Sequence, residues 1–258
     1  MEIQAVPLET LQAFLVCLVR VAAMLLALPV FGSAQVPVKV RTALIVVFSL
    51  VLFPVVRPYV AGLSFTPFHV AVLALRESFV GLMMAFTARF IFSAIEMAGA
   101  VVGYQMGFAA ANVFDPQNQS QTPLISQLQN VLAILVFLVF DVHHLMLRIA
   151  VESFRMLPPA KLDFSAEPIS YFMELSAGIF VLGVKFSAPI LAVLLLSGLV
   201  LGLMARVFPQ MNVFMISFPV NIGLAFITMS FCLDMTVGLL DREFNSLSER
   251  LLNLFSLF

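Results

Sequence analysis

The chain has 258 residues, of which 62% are hydrophobic and only 10% are charged, and its formal net charge at pH 7 is -1. Soluble domains carry about a quarter charged residues, so this composition is typical of a membrane protein. The near-neutral charge provides no support for a nucleic-acid partner.

The first part of the chain contains three apolar segments. The first covers about residues 11–31. The second, about 42–56, is short for a membrane span because a helix needs about 20 residues to cross the hydrocarbon core. Two prolines, Pro54 and Pro58, are expected to end it. The third begins near Phe68 and continues to a series of glycines, so it is long enough to comprise two helices.

The glycine series leads into a polar loop. Gly99, Gly103 and Gly107 recur every four residues, a pattern that lets a neighbouring helix approach closely. The loop that follows, up to Pro123, has apolar side chains near its start and one charged residue, Asp115. This composition predicts a loop that packs into other protein rather than one surrounded by water.

The first part also contains a fourth segment, about 124–157, in which charged and polar residues occur at steps of three and four. They therefore share one helix face: Asp141, His144, Arg148, Glu152 and Arg155. Residues 157–170 are polar and proline-rich, and they are the best candidate for a boundary between two parts of the chain.

After that boundary, two long apolar segments at about 171–207 and 214–240 predict a helical hairpin. In the tail, apolar residues at steps of three and four predict an amphipathic helix. They are Leu240, Phe244, Leu247, Leu251, Phe255 and Phe258.

Seven charged residues interrupt the apolar segments: Arg20, Arg76, Glu77, Arg89, Glu96, Lys185 and Asp234. Each would cost at least about 2.5–3.5 kcal/mol at the centre of a bilayer. They could line a transport pathway, pair across interfaces with other subunits, or pair within this chain, and we favour the interfaces. Among the acids, Glu96 is expected to be deeply buried.

The sequence contains no recognisable catalytic motif, and we predict neither an enzyme nor a bound cofactor. His143 and His144 are adjacent, and neighbouring residues on a helix point about 100° apart, so they are not expected to share a metal ion. Cys17 and Cys232 lie in apolar runs and are expected to be buried small hydrophobic residues.

Three stretches together resemble the FliR family of flagellar export-gate proteins, and their order and spacing match along the whole chain. They are GYQMGFAAANVFDPQ (103–117), ARVFPQMNVFMISFPVNIGL (205–224) and RVAAMLLALPVFG (20–32). A related family, SctT, serves the virulence injectisome. The DPQ and FPVNIGL sequences look more like the flagellar branch.

This resemblance implies an all-α, membrane-class fold of helical hairpins. Residues 1–160 would be FliP-like, and residues 161–258 would be a FliQ-like hairpin with an amphipathic tail. In this family, one FliR copy assembles with several copies of FliP and FliQ into a closed helical ring, with FlhB as a further partner. That ring lies in the flagellar basal body at the inner membrane, raised toward the periplasmic side, and passes unfolded flagellar subunits.

The resemblance also implies that the loop after the glycine-rich helix, about residues 106–122, plugs the pore. The residues concerned are Met106, Gly107, Phe108, Ala109, Ala110, Ala111, Asn112, Val113, Phe114, Asp115, Pro116 and Gln117. Apolar packing of Met106, Phe108 and Phe114 would hold the closed state. The alternatives are an injectisome subunit, a secondary transporter using Arg89, Glu96 and Lys185, and a scaffold for ring assembly.

Overall fold

The structure is a computed structural model that describes residues 7–32, 36–60, 66–107, 124–159 and 167–258. Within these ranges the chain forms ten α-helices and no strand, which confirms the predicted all-α fold class. The helices are α1 (Leu8–Ala27), α2 (Pro29–Gly32), α3 (Val38–Val60), α4 (Pro67–Gln105), α5 (Leu124–Val139), α6 (Val142–Met156), α7 (Glu167–Val207), α8 (Val213–Phe231), α9 (Leu233–Asn245) and α10 (Leu247–Ser256).

Five helices in the described ranges are long and apolar enough to cross a membrane: α1, α3, α4, α7 and α8. The interrupted pair α5 and α6 would add a sixth if it is counted as one span. The chain itself covers these helices very unequally. Within an apolar 18-residue stretch of each helix, it buries 61% in α4 but only 6% in α8. Most of α8 must therefore face lipid or other proteins.

The prediction that Pro54 and Pro58 end the second segment is wrong. Helix α3 continues through both prolines to Val60 and is 23 residues long, enough for a span. Each proline removes one backbone donor from the helix. Both prolines lie on the exposed side, whereas Val56 and Val60 are fully buried. Packing of that buried face therefore outweighs the local cost of the prolines.

The long third segment, which begins near Phe68, and the segment at about 171–207 are each a single helix. Helix α4 has 39 residues, and α7 has 41 residues and contains Pro189. The predicted segment at about 214–240 is instead two helices, α8 and α9. The apolar residues of the predicted amphipathic tail are buried from Leu240 to Phe255 and half-buried at Phe258, although the tail is divided between α9 and α10.

Asp141 separates α5 from α6. It has a φ of 54°, a left-handed conformation that aspartate tolerates better than most residues. The predicted polar face of α6 is present: His144, Arg148 and Arg155 are exposed, and Glu152 is half-buried. Contacts among the helices divide the chain into two compact units. The chain passes from the second unit back to the first at Asp141.

The first unit comprises residues 1–90, 141–176 and 244–258, and the second comprises 91–140 and 177–243. In the first unit, α1 packs against α2 and α3, and α6 packs against α3 and α10. A Cβ atom on Gly81 of α4 would collide with the backbone of Arg20 in α1. The predicted division at residues 160/161 was based on sequence and stays a prediction.

Arg20 and Glu77 form an ion pair in the centre of the first unit, and both side chains are fully buried. The guanidinium donates from Nε and from Nη2 to the two carboxylate oxygens, the latter bond being 3.0 Å long. Such a two-pronged pair is among the stronger hydrogen-bonded contacts in proteins. It joins α1 to α4 and neutralises two charges that could not otherwise be buried.

Helix α6 supplies further partners of the same arginine. Nη1 of Arg20 donates to Ser153 Oγ at 3.0 Å, and Nη2 donates to the carbonyl oxygen of Leu157, also at 3.0 Å. The guanidinium carbon lies 3.8 Å from the centre of the Phe154 ring, a favourable cation–π arrangement. One side chain thus links α1, α4 and the end of α6.

We predict that Arg20→Ala destabilises the purified full-length chain by about 3–5 kcal/mol, because it leaves the Glu77 carboxylate buried without its cation. The double variant Arg20→Met/Glu77→Leu should lose less than the sum of the single substitutions, since it leaves no charge unpaired. Thermal and denaturant unfolding in detergent would measure both. Arg89→Met, at an exposed position of α4, is the control and should change stability by less than about 0.5 kcal/mol. Additive losses in the double variant would contradict the prediction.

Candidate functional site

The candidate site is the C-terminal end of α4, where the predicted plug loop begins. Met106 is fully buried, and its N–H donates to Val102 O at 2.9 Å. It belongs to an apolar cluster in the second unit to which α4, α5, α7 and α8 all contribute. The buried members are Val102, Met106, Ile125, Ile190, Leu194 and Ala225.

Gly107 follows with a backbone conformation that other residues rarely adopt. Its φ is +94°, and its N–H donates to Tyr104 O at 3.0 Å. A glycine with positive φ directly after a helix is a common way to satisfy the last carbonyl groups and to change the chain direction. A Cβ atom on Gly107 would lie 2.5 Å from the ring of Phe218 in α8. Glycine is therefore required both by the backbone angle and by the neighbouring ring.

The other two glycines of the series lie along the same helix. A Cβ atom on Gly99 would be 2.5 Å from the Cα atom of Ser126, so the backbones of α4 and α5 come very close there. Ser126 Oγ donates to the carbonyl oxygen of Glu96 at 2.8 Å and links the two helices. Gly103 is buried. The residues from Phe108 to Gln117 that were assigned to the plug lie outside the described residues.

Two sequence motifs that are far apart in the chain meet at this helix end. One is the GYQMG stretch at the C-terminal end of α4 and just after it, and the other is the FPVNIGL stretch of α8. Phe218 contacts Gly107, and Ala225 lies in the cluster around Met106, with Ile222 packed against that cluster. Ser197 Oγ of α7 donates to Asn221 Oδ1 of α8 at 2.9 Å. The end of α4 thus packs against the α7–α8 hairpin.

The charged residues predicted to be buried or at interfaces fall into separate groups. Arg20 and Glu77 pair within the chain, as described above, and Arg76 is half-buried. The remaining members of the set are exposed on this chain: Arg89, Glu96, Lys185 and Asp234.

Two expectations about these charges are wrong. The deeply buried acid is Glu77 rather than Glu96, because Glu77 faces Arg20 whereas Glu96 lies on the outer side of α4. Asp234 does not interrupt a span. Helix α8 ends at Phe231, and Asp234 lies in the first turn of α9, where a negative charge interacts favourably with the helix dipole.

The two cysteines and the histidine pair also differ in part from expectation. Cys17 is buried as predicted, whereas Cys232, just after the end of α8, is half-buried. The expectation that the adjacent His143 and His144 side chains point apart does not hold for their rings. Their ring centres are only 4.1 Å apart, and both rings turn toward the carboxylate of Asp141.

Several residues that position these features were not singled out from the sequence. Gly81, Ser126 and Ser153 are small residues at places where two helices meet, and Phe218 covers Gly107. A small residue on the buried side of an apolar helix is a recognisable signal. Its partner, however, is set by tertiary packing and could not be read from one segment.

The fold and this site define a class, an α-helical membrane protein with several spans and with charged residues exposed on apolar helices. The chain belongs to the family described as bacterial export proteins, family 1, whose model matches residues 11–247. Membership of the FliR family, expected from the three stretches, is confirmed by relatives that match nearly the whole chain.

Those relatives carry the name flagellar biosynthetic protein FliR. The protein of that name in Bacillus subtilis (strain 168) is 32% identical over 254 residues, which cover 97% of each chain. The one in Escherichia coli (strain K12) is 26% identical over 239 residues, covering 93% of this chain and 91% of the relative. The one in Aquifex aeolicus (strain VF5) is 27% identical over 238 residues, covering 92% and 91%.

We predict that Gly107→Ala destabilises the chain by about 1–2 kcal/mol, because an L-residue with this φ is strained and its Cβ atom meets the Phe218 ring. Adding Phe218→Ala removes the collision but not the backbone strain, so the double variant should lose less than the two single variants combined. Gly202→Ala in α7 is the matched control, since nothing lies within 4 Å of the added Cβ atom. Unfolding in detergent would measure these effects, and equal stability of the Gly107 and Gly202 variants would refute the prediction.

Proposed function

We propose that this chain is a core subunit of the flagellar type III protein export gate in the bacterial inner membrane. The match with proteins named FliR along almost the whole chain supports this function. The observation that carries the proposal furthest is the meeting of the two FliR-like motifs at Gly107 and Phe218. No catalytic step is assigned to the chain, whose role is to form and close a path for unfolded flagellar subunits.

The loop of about residues 106–122 acts as the plug of this path. Met106 is fully buried in the apolar cluster, and Gly107 is held against α8, so both belong to the fixed base of the loop. The part of the loop that we propose closes the path therefore starts at Phe108. Within it, Phe108 and Phe114 are the apolar side chains suited to a seal, and Asp115 is the single charged residue.

FliP and FliQ are the partners that cover the outer faces of the helices, and FlhB is a further partner. Support comes from α7 and α8, because this chain buries only 22% and 6% of an apolar 18-residue stretch in each. Exposed charges lie on otherwise apolar helices at Arg89, Glu96 and Lys185, and charges of this kind are normally paired or hydrated rather than placed in lipid.

The FliP-like part would be residues 1–160, and the FliQ-like hairpin would be residues 161–258, which include α7 and α8. The assembled gate would sit in the basal body, raised toward the periplasmic side. A flagellar role is favoured over an injectisome role because the relatives reported above are all named flagellar proteins. A secondary transporter would use Arg89, Glu96 and Lys185 to line a pathway and would work without partner subunits.

We predict that deleting residues 108–120 raises ion leakage through the assembled gate, because the base remains while the closing segment is lost. Replacing the same residues with an equally long Gly/Ser segment should also leak, since it restores length without the apolar side chains. Conductance across membranes that contain the complex is the measurement, with Gly202→Ala as the control. Recovery of FliP and FliQ with each variant shows that the gate has formed.

Unchanged conductance in a fully assembled deletion variant would refute the plug role and favour a scaffold. A chain that transports a solute when reconstituted alone would instead favour the transporter. The mass and composition of the complex that copurifies with the tagged chain would test membership of the gate independently of the plug.

We also predict that Arg89→Ala and Lys185→Ala reduce the amount of FliP and FliQ recovered with the tagged chain, because each leaves a partner's acid unpaired at an interface. Arg155→Ala is the matched control. This arginine is also exposed, but its nearest acid is Glu152 of the same helix, at 3.6 Å. Equal recovery in all three variants would show that the exposed charges do not hold the subunits together.

A further inference from the structure

We propose that Asp141, His143 and His144, at the start of α6, form a binding site for a divalent transition metal such as Zn²⁺. One potential ligand atom from each of the three side chains lies within 4.8 Å of the other two. Asp141 Oδ1 is 3.1 Å from His144 Nδ1 and 3.9 Å from His143 Nε2. The site is separate from the end of α4 and does not depend on the export function.

The distances suit one shared ion. Zinc binds histidine nitrogen at about 2.0–2.1 Å and carboxylate oxygen at about 2.0–2.2 Å in a tetrahedral arrangement, so two of its ligand atoms are about 3.4 Å apart. The two measured separations lie on either side of that value, and small rotations of the rings would equalise them. Imidazole and carboxylate ligands together favour zinc, cobalt, nickel or copper over magnesium or calcium.

Hydrogen bonding explains only part of the cluster. Without an ion, the side chains of Asp141 and His144 make a hydrogen bond, which an ion bound to the same two atoms would replace. His143 Nε2 is too far from Asp141 for such a bond. Its Nδ1 atom is buried and has no hydrogen-bond partner among the described residues. An ion bound to Nε2 would account for the direction of that atom toward Asp141, whereas Nδ1 would still need a partner of its own.

The backbone favours convergence of these ligands. Asp141 has a left-handed conformation and lies outside the helix, whereas His143 and His144 lie in its first turn. The side chains of Asp141 and His144 are 70% and 61% exposed, so an ion can reach the cluster from solvent. Three protein ligands leave the fourth tetrahedral position for water or for a ligand from another protein.

The position at a helix N-terminus limits the affinity. The positive end of the helix dipole disfavours a cation there, and the Asp141 carboxylate offsets this effect. With three partly exposed ligands, we expect micromolar rather than nanomolar binding, at one ion per chain.

Cobalt binding to the full-length chain, purified in detergent with its copurifying partners and without an oligohistidine tag, tests the site. After treatment with a chelator, Co²⁺ should bind at one equivalent per chain and give the visible absorption bands of a tetrahedral site, and Zn²⁺ should displace it. His143→Ala and His144→Ala should each weaken binding at least tenfold, since even outer-shell changes cost about 10–100-fold. His69→Ala is the matched control, because His69 contacts Thr66 instead.

The Asp141→Asn variant should still fold, because asparagine tolerates the same left-handed backbone conformation. It should weaken Co²⁺ binding about tenfold by removing the charge of one ligand while leaving the apo chain's melting temperature unchanged. Zn²⁺ should raise the melting temperature of the native chain and of His69→Ala but not that of the His143 or His144 variants. Absence of stoichiometric binding up to millimolar Co²⁺, or equal binding by the native and histidine variants, would overturn the proposal.

Discussion

The buried pair of Arg20 and Glu77 is the interaction on which the first unit depends. Removing a charge from water is so unfavourable that a buried arginine requires a carboxylate and further hydrogen bonds around it. Glu77 of α4 supplies the carboxylate, Ser153 Oγ accepts from Nη1, and the Leu157 carbonyl accepts from Nη2, which also donates to Glu77. Because these groups come from three parts of the chain, the helices must meet in one arrangement for all of them to be satisfied.

The second unit relies on close apolar contact instead of charge. Gly99 allows α4 to approach α5, and Met106 fills the space among α4, α5, α7 and α8. Gly107 then ends the helix beneath Phe218. Such packing fixes the position and direction in which the chain leaves α4.

The exposed charges have a different meaning from the buried pair. Arg89, Glu96 and Lys185 lie on long apolar helices, yet none of the described parts of this chain buries them. A protein that worked alone in lipid would bear a high energetic cost for them. A subunit surrounded by other subunits would not, whereas the largely uncovered apolar surface of α8 suits lipid as well as protein.

Much of this protein could be predicted from its sequence alone. Hydropathy and periodicity identified the helical membrane class and the apolar face of the tail, and three motifs identified the FliR family, because these properties depend on local order along the chain. The continuation of α3 through Pro54 and Pro58 could not be predicted in this way. Nor could the pairing of Arg20 with Glu77, or the convergence of His143 and His144 on Asp141. Each depends on which distant or freely rotating groups become neighbours, and only the packed tertiary structure decides that.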